Sequence, residues 1–148
     1  MEKQRVIFTP VNNNTLSKLN LQFVGKLKAG FASPAADYIG DSIDLNQLLI
    51  KNSEYTFIGR AEGNSMIEDS LHDGDIVIID KSLQPRDSDI VLCFVDGEYT
   101  MKHVRIDKEN KTIWLIGANK DFPPIKITEE NDFIIWGVVT HSITKHRK

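Results

Sequence analysis

An apolar run joined by Asp96-Gly97 to an alternating one constrains this chain more than any other feature. Ile90 to Val95 is apolar at every position, the pattern of a strand covered on both faces. Asp-Gly directly after such a run is a strong signal for a two-residue hairpin, because both central positions of that turn take positive φ. The return strand is expected over Glu98 to Asp107. A chain committed to this hairpin needs further strands to cover it. Candidates are Tyr55–Ala61, Ile76–Asp80, Thr112–Ile116 and Phe133–Ile143. The turns His72-Asp73-Gly74-Asp75, Pro85 to Ser88 and Lys108 to Lys111 separate them, and Asn119 to Pro124 reads as loop. One compact helix is expected near Ile43, Leu45, Leu48 and Leu49, capped by Asp41 or Ser42 and stopped near Asn52. A short helical turn is expected over Ile67 to Leu71. The fold class is therefore mostly β, with twisted antiparallel strands and short helices.

Residues 1–40 show neither helical nor alternating periodicity and hold Pro10, Asn12-Asn13-Asn14, Gly25, Gly30, Pro34 and Gly40. They read as an extended arm ahead of a β domain at 41–148. The arm is too short and irregular for a helix-turn-helix domain. Charge divides in the same way. Residues 1–29 carry Lys3, Arg5, Lys18, Lys26 and Lys28 against Glu2, a net +4, which leaves −7 on the remainder of a chain whose total is −3. A basic arm can lie against its own acidic body or meet a polyanionic partner.

No apolar run reaches the ~20 residues of a membrane span, and the N-terminus lacks the apolar centre of a secretory signal. The one cysteine, Cys93, lies in the apolar run and is expected in the core. It can form no disulfide within one chain. A cytoplasmic protein is expected. One cysteine and the histidines His72, His103, His141 and His146 show no metal-ligand spacing, and neither a P-loop nor a dinucleotide fingerprint is present. No cofactor or metal is expected. Trp114 and Trp136 lie in separate strands and read as core or interface residues.

Chemistry can enter at two places. Glu62-Gly63-Asn64-Ser65-Met66 is a turn with one hydroxyl at the end of a strand. Gly63 admits a backbone that bulkier residues avoid, so Ser65 can be an exposed nucleophile ringed by N–H groups or simply part of a turn. On the return strand Thr100, Lys102, Val104 and Ile106 share one face, and Tyr99, Met101, His103 and Arg105 share the other. The first set holds two aliphatics, so Lys102 points inward. Burial lowers the pKa of such an amine and can make it a general base. Alternatively it snorkels to water near a sheet edge. Ser and Lys alone, with a donor for the oxyanion, make a proteolytic dyad.

The residues then match a known family. Phe31-Ala32-Ser33-Pro34-Ala35-Ala36-Asp37-Tyr38 and Ile43-Asp44-Leu45-Asn46-Gln47-Leu48-Leu49 resemble the UmuD group. Gly63-Asn64-Ser65-Met66, Asp73-Gly74-Asp75, Gly97-Glu98-Tyr99-Thr100-Met101-Lys102 and Trp136-Gly137-Val138-Val139 resemble the wider LexA/UmuD-type family of self-cleaving proteins. The resemblance covers about Gly30 to His141. It implies Ser65 as nucleophile, Lys102 as general base and the backbone N–H groups of Asn64 and Ser65 as the oxyanion hole. It implies a scissile bond at Ala29–Gly30, with Leu27 as an apolar anchor of the docked segment. The small pair suits close approach, and an extended segment can dock as an added strand. The resemblance further implies the family's small catalytic domain, a homodimer and stimulation by a RecA filament on single-stranded DNA. The shortened form would serve a UmuC-type polymerase in translesion synthesis after DNA damage, with no sequence-specific DNA binding and no membrane association. Asn64 stands where an acidic residue is expected in relatives, and Ala29–Gly30 is the LexA-like form of the bond. The alternatives are a non-catalytic dimeric module that keeps the fold, or a LexA-like regulator without a DNA-binding domain.

Overall fold

The computed structural model describes residues 5–10, 21–22, 42–63, 71–117, 121 and 123–147, with side chains from residue 44 onward. Contacts divide the chain into two units, 12–51 and the remainder. In the smaller unit, β2 (Leu21–Gln22) pairs with β3 (Ser42–Ile43), and α1 (Leu45–Leu49) follows. The helix cap is Asp44, whose carboxylate accepts the Asn46 N–H at 2.9 Å, and not the expected Asp41 or Ser42. Ser42 belongs to β3, and Asp41 lies outside the described residues. Asp44 wins because its side chain reaches the second N–H of a five-residue helix, where an orphan donor needs an acceptor.

In the larger unit, a single antiparallel sheet runs in the order β1-β4-β5-β10-β6-β7-β8-β9. Its strands are β1 (Arg5–Pro10), β4 (Thr56–Glu62), β5 (Ile76–Asp80), β6 (Ile90–Val95), β7 (Glu98–Asp107), β8 (Thr112–Ile116), β9 (Ile125–Ile127) and β10 (Phe133–Ile143). β1 pairs with β4 from Arg5↔Glu62 to Pro10↔Phe57, so part of the sequence without periodicity is a sheet strand. Its proline sits at the strand end on the sheet edge, where the missing N–H costs no ladder bond. β9 was also silent in the sequence, being three residues long and mostly exposed. A 3₁₀ turn, Ser53–Tyr55, leads into β4. Asn52 opens this turn instead of closing the helix, and its carbonyl accepts the Thr56 hydroxyl at 2.7 Å. The turn expected over Ile67 to Leu71 lies mainly outside the described residues.

The hairpin forms as expected. Asp96 and Gly97 have φ of 47° and 92°, and Val95 faces Glu98 across the turn. β6 is internal, between β10 and β7. Apolar side chains gather in two clusters. Ala61, Leu71, Val77, Ile79, Leu92 and Met101 form one, and Val91, Cys93, Val104, Leu115 and Val138 form the other. Alternation along β6 and β7 feeds both clusters, so both faces are covered here. This corrects the one-sided reading of β7: Met101, on the face opposite Val104, is fully buried.

Candidate active site

β4 ends at the segment that carries the expected nucleophile, and the strand end is held by a compact network. Gly63 has φ of 96°, accessible to glycine without steric cost. Its N–H donates to the Asp73 carboxylate at 2.9 Å. The Ala61 N–H donates to the Asp75 carbonyl at 2.8 Å, and the Gly74 N–H returns to the Ala61 carbonyl at 2.7 Å. Gly74 takes φ of 87°, and Arg60 Nη1 donates to its carbonyl at 3.0 Å. Asp75 is buried and accepts the His72 N–H at 2.8 Å. Leu71 plugs the first apolar cluster. Residues 63 and 71, the two ends of segment 64–70, are thus fixed by main-chain bonds, two aspartates and a buried leucine. Asp73-Gly74-Asp75 is turn chemistry, as the sequence suggests, and it also anchors Gly63. Sequence reasoning missed the second role, because nothing in a turn motif says which distant N–H its carboxylate will meet.

Asn64 and Ser65 lie outside the described residues, as do Leu27, Ala29 and Gly30. Lys102 is described. It sits on β7 and is 7% exposed. At Lys102, β7 pairs with β6, and its ladder with β8 begins one residue later, at His103. Burial pushes its pKa down from 10.5 to about 8, and attraction to the Cys93 sulfur acts in the opposite sense. At such a value about one amine in ten is neutral at pH 7 and half at pH 8. The low exposure of Lys102 supports the inward-facing reading over an ammonium that snorkels to water.

The hairpin also determines what lies beside the amine. Val91 faces Lys102 and Cys93 faces Thr100. Cys93 is thus the diagonal neighbour of Lys102 on the same face, a separation that side chains can span. The thiol is fully buried and contacts the Thr100 carbonyl at 3.6 Å. Burial pushes its pKa up to about 12, with Lys102 acting in the opposite sense. Sequence reasoning placed Cys93 in the core but did not set it beside Lys102. The signal was present, since a two-residue turn at Asp96-Gly97 fixes the register by itself.

Residues 22–140 match the family model described as Peptidase S24-like. The chain is 34% identical to the protein MucA of Salmonella typhimurium over 125 residues, 84% of this chain and 84% of MucA. It is 40% identical to the protein SamA of Salmonella typhimurium over 125 residues, 84% of this chain and 85% of SamA. This chain is a peptidase S24-like protein of the LexA/UmuD type. A LexA repressor from Desulfatibacillum aliphaticivorans belongs to the same circle, 35% identical over 128 residues, 84% of this chain and 61% of the repressor. For an S24-like protein, a buried lysine of lowered pKa on an internal strand is chemically informative, because it places a potential base in a water-poor setting. Among the described residues, no group of three or more His, Cys, Asp and Glu side chains could hold a metal ion. No helix among them is long and apolar enough to cross a membrane.

Proposed function

We propose that this chain is a self-cleaving serine peptidase of the DNA-damage response that cuts its own Ala29–Gly30 bond with Ser65 and Lys102. The observation that carries the reading is Lys102, whose amine is buried on β7 with its pKa lowered to about 8, in a chain of the S24-like family. Neutral Lys102 accepts the Ser65 hydroxyl proton, and Oγ attacks the Ala29 carbonyl carbon. The N–H groups of Asn64 and Ser65 hold the resulting oxyanion. The Ala29–Gly30 C–N bond then breaks, and the Lys102 ammonium returns the proton to the leaving amine of Gly30. Water, deprotonated by the same amine, releases Ala29 from the serine ester. Leu27, two residues before Ala29, fills an apolar pocket and sets the register of the docked strand.

The biological setting follows from the family resemblance. A RecA filament on single-stranded DNA stimulates the cleavage. The shortened dimer, Gly30 to Lys148, serves as accessory subunit of a UmuC-type translesion polymerase in the cytoplasm. The stretch around Ala29–Gly30 is the substrate part of the chain, and the sheet that carries Lys102 is the enzyme part.

The test is incubation of the purified full-length chain at pH 7 to 10, without and with RecA on single-stranded DNA, followed by intact mass measurement. The expected product is the Gly30–Lys148 fragment, absent from Ser65→Ala and Lys102→Ala. A chain that stays whole throughout supports the non-catalytic module instead. The same fragment from Ser65→Ala removes the serine from the mechanism.

A further inference from the structure

β10, β6 and β7 are inner strands of the sheet. Beside the Asp96-Gly97 turn each contributes one apolar side chain to a single row. Ile134 of β10 faces Phe94 of β6, and Phe94 faces Tyr99 of β7. Residues directly opposite on neighbouring strands point to the same side of the sheet. The Phe94 and Tyr99 rings meet edge to face, with centroids 5.4 Å apart. Ile134 is 60% exposed and Tyr99 40%. The water-facing side of an antiparallel sheet ordinarily reads polar. Contiguous exposed apolar side chains mark an interaction site where single ones do not.

The loops that bound this row are acidic. Asp96 and Glu98 lie at the hairpin, and Glu129, Glu130 and Asp132 precede β10, all of them exposed. Neither 93–101 nor 127–135 contains a lysine, arginine or histidine. The nearest cation before the second loop, Lys126, lies over the Trp114 ring of β8 at 5.9 Å. The two loops are bonded to each other. The Asp96 carboxylate accepts the Asp132 N–H at 2.9 Å and the Asn131 side-chain amide at 2.7 Å, and the Asp96 N–H donates to the Asp132 carbonyl at 2.8 Å. The Thr128 N–H donates to the Asn131 side-chain oxygen at 2.8 Å. These donors are neutral, so they hold Asp96 in place without cancelling its charge.

We propose that the row Ile134–Phe94–Tyr99 is a docking site for a basic segment of another protein, one whose apolar side chains cover the row while its lysines or arginines meet the acidic loops. Three neighbouring strands span about 10 Å, a width matched by two turns of an amphipathic helix or by alternate residues of an extended segment. The surface is fixed beforehand by its strands and by the bonds between the loops, so little order is lost on this side when a partner binds. A second copy of this chain is a poor occupant, because it brings another acidic body, −7 outside residues 1–29, to an acidic rim. The site uses neither Ser65 nor Lys102 and is independent of self-cleavage.

The full-length Ser65→Ala protein, which stays whole, is titrated with a short synthetic peptide of alternating Leu and Lys, beside one of alternating Leu and Glu. Binding is followed by fluorescence anisotropy and located by backbone-amide NMR. The Leu/Lys peptide should shift the amides of Phe94, Tyr99, Ile134 and residues 128–132, and the Leu/Glu peptide should not bind. Ile134→Thr should raise Kd about tenfold, the loss of one covered side chain. Glu129→Gln with Glu130→Gln should raise it about fivefold at low salt and little at high salt. Glu109→Gln, at an exposed glutamate in the turn between β7 and β8, should leave Kd within about twofold. Shifts confined to other surfaces, equal binding of the two peptides, or an unchanged Kd in Ile134→Thr overturn the proposal. Sedimentation of the same variants checks the other occupant: a dimer of the parent that dissociates in Ile134→Thr means that a second copy covers the row, and the proposal fails.

Discussion

The backbone N–H of Gly63 donates to the carboxylate of Asp73 at 2.9 Å, tying the last residue before segment 64–70 to the turn that follows it. The bond spans ten positions of sequence. It fixes Gly63, at the end of β4, beside the position of the proposed nucleophile.

Removing that acceptor should cost more activity than stability. Asp73→Ala leaves the Gly63 N–H to water, a loss of about 1 kcal/mol for one partly exposed bond. Self-cleavage is expected to slow by about tenfold or more, because small displacements of a nucleophile are expensive in rate. Asp73→Asn keeps an acceptor oxygen and should recover most of the rate. Cleavage kinetics beside urea unfolding separate the two effects. A rate loss no larger than the stability loss would show that the bond supports the fold alone.

Gly137 of β10 packs closely against β5. A β-carbon there would lie 2.7 Å from Cγ2 of Ile79 and 3.3 Å from the Asp80 carbonyl oxygen. Ile79 is fully buried and branched at Cβ, so its methyl cannot swing aside freely. Gly137→Ala is expected to destabilise by about 1–3 kcal/mol. In an Ile79→Ala background the same change should cost less, since the methyl in the way is gone. Additive losses in a double-mutant cycle by denaturant unfolding would contradict the contact.

Self-cleavage should follow the neutral form of Lys102. With the amine's pKa lowered to about 8, the rate rises about tenfold per pH unit below that value and levels off above it. Lys102→Arg stays charged throughout and should be inactive at every pH. Initial rates of fragment formation from pH 6 to 10 give the midpoint. A profile still climbing at pH 10 would mean that Lys102 titrates like a lysine in water.

Stability should respond to the same two groups in opposite senses. Lys102 titrates at about 8 folded against 10.5 unfolded, so the unfolded chain binds more protons between these values. Its contribution therefore makes stability rise with pH across that window. Cys93 titrates at about 12 folded against 9.0 unfolded, so above pH 9 the folded chain binds more protons and stability falls. Together the pair gives a rise from pH 8 to 9, a plateau to about 10.5 and a decline beyond. Urea unfolding across this range, taken as the difference between parent and Lys102→Met, should show the rise only in the parent. A difference that is flat with pH would mean that the two states hold the lysine proton equally.

Much of the sheet was legible because its signals are local. The Asp96-Gly97 turn, the unbroken apolar run before it and the alternation after it specify β6, β7 and their register without reference to the rest of the chain. Ile76–Asp80, Thr112–Ile116 and Phe133–Ile143 coincide with their expected limits. Arg5–Pro10 and Ile125–Ile127 were not legible, since an edge strand is defined by the strand it joins more than by its own composition. The helix cap moved to Asp44 for a similar reason, because several polar residues could cap and geometry chose one.

The candidate site divides along the same line. Turn chemistry and alternation, which act over a few residues, pointed to a serine after Gly63 and to a lysine at 102 that either faces inward or snorkels, while the small pair Ala29–Gly30 came from the family resemblance. Only the tertiary structure decided that Lys102 is buried on an internal strand with its pKa lowered, that Cys93 lies diagonal to it, and that Asp73 holds Gly63. Solvation and hydrogen bonding between distant segments depend on which strands become neighbours. In this chain that order, β4-β5-β10-β6-β7, brings the last strand between the second and third of the expected ones, a placement that no local pattern encodes.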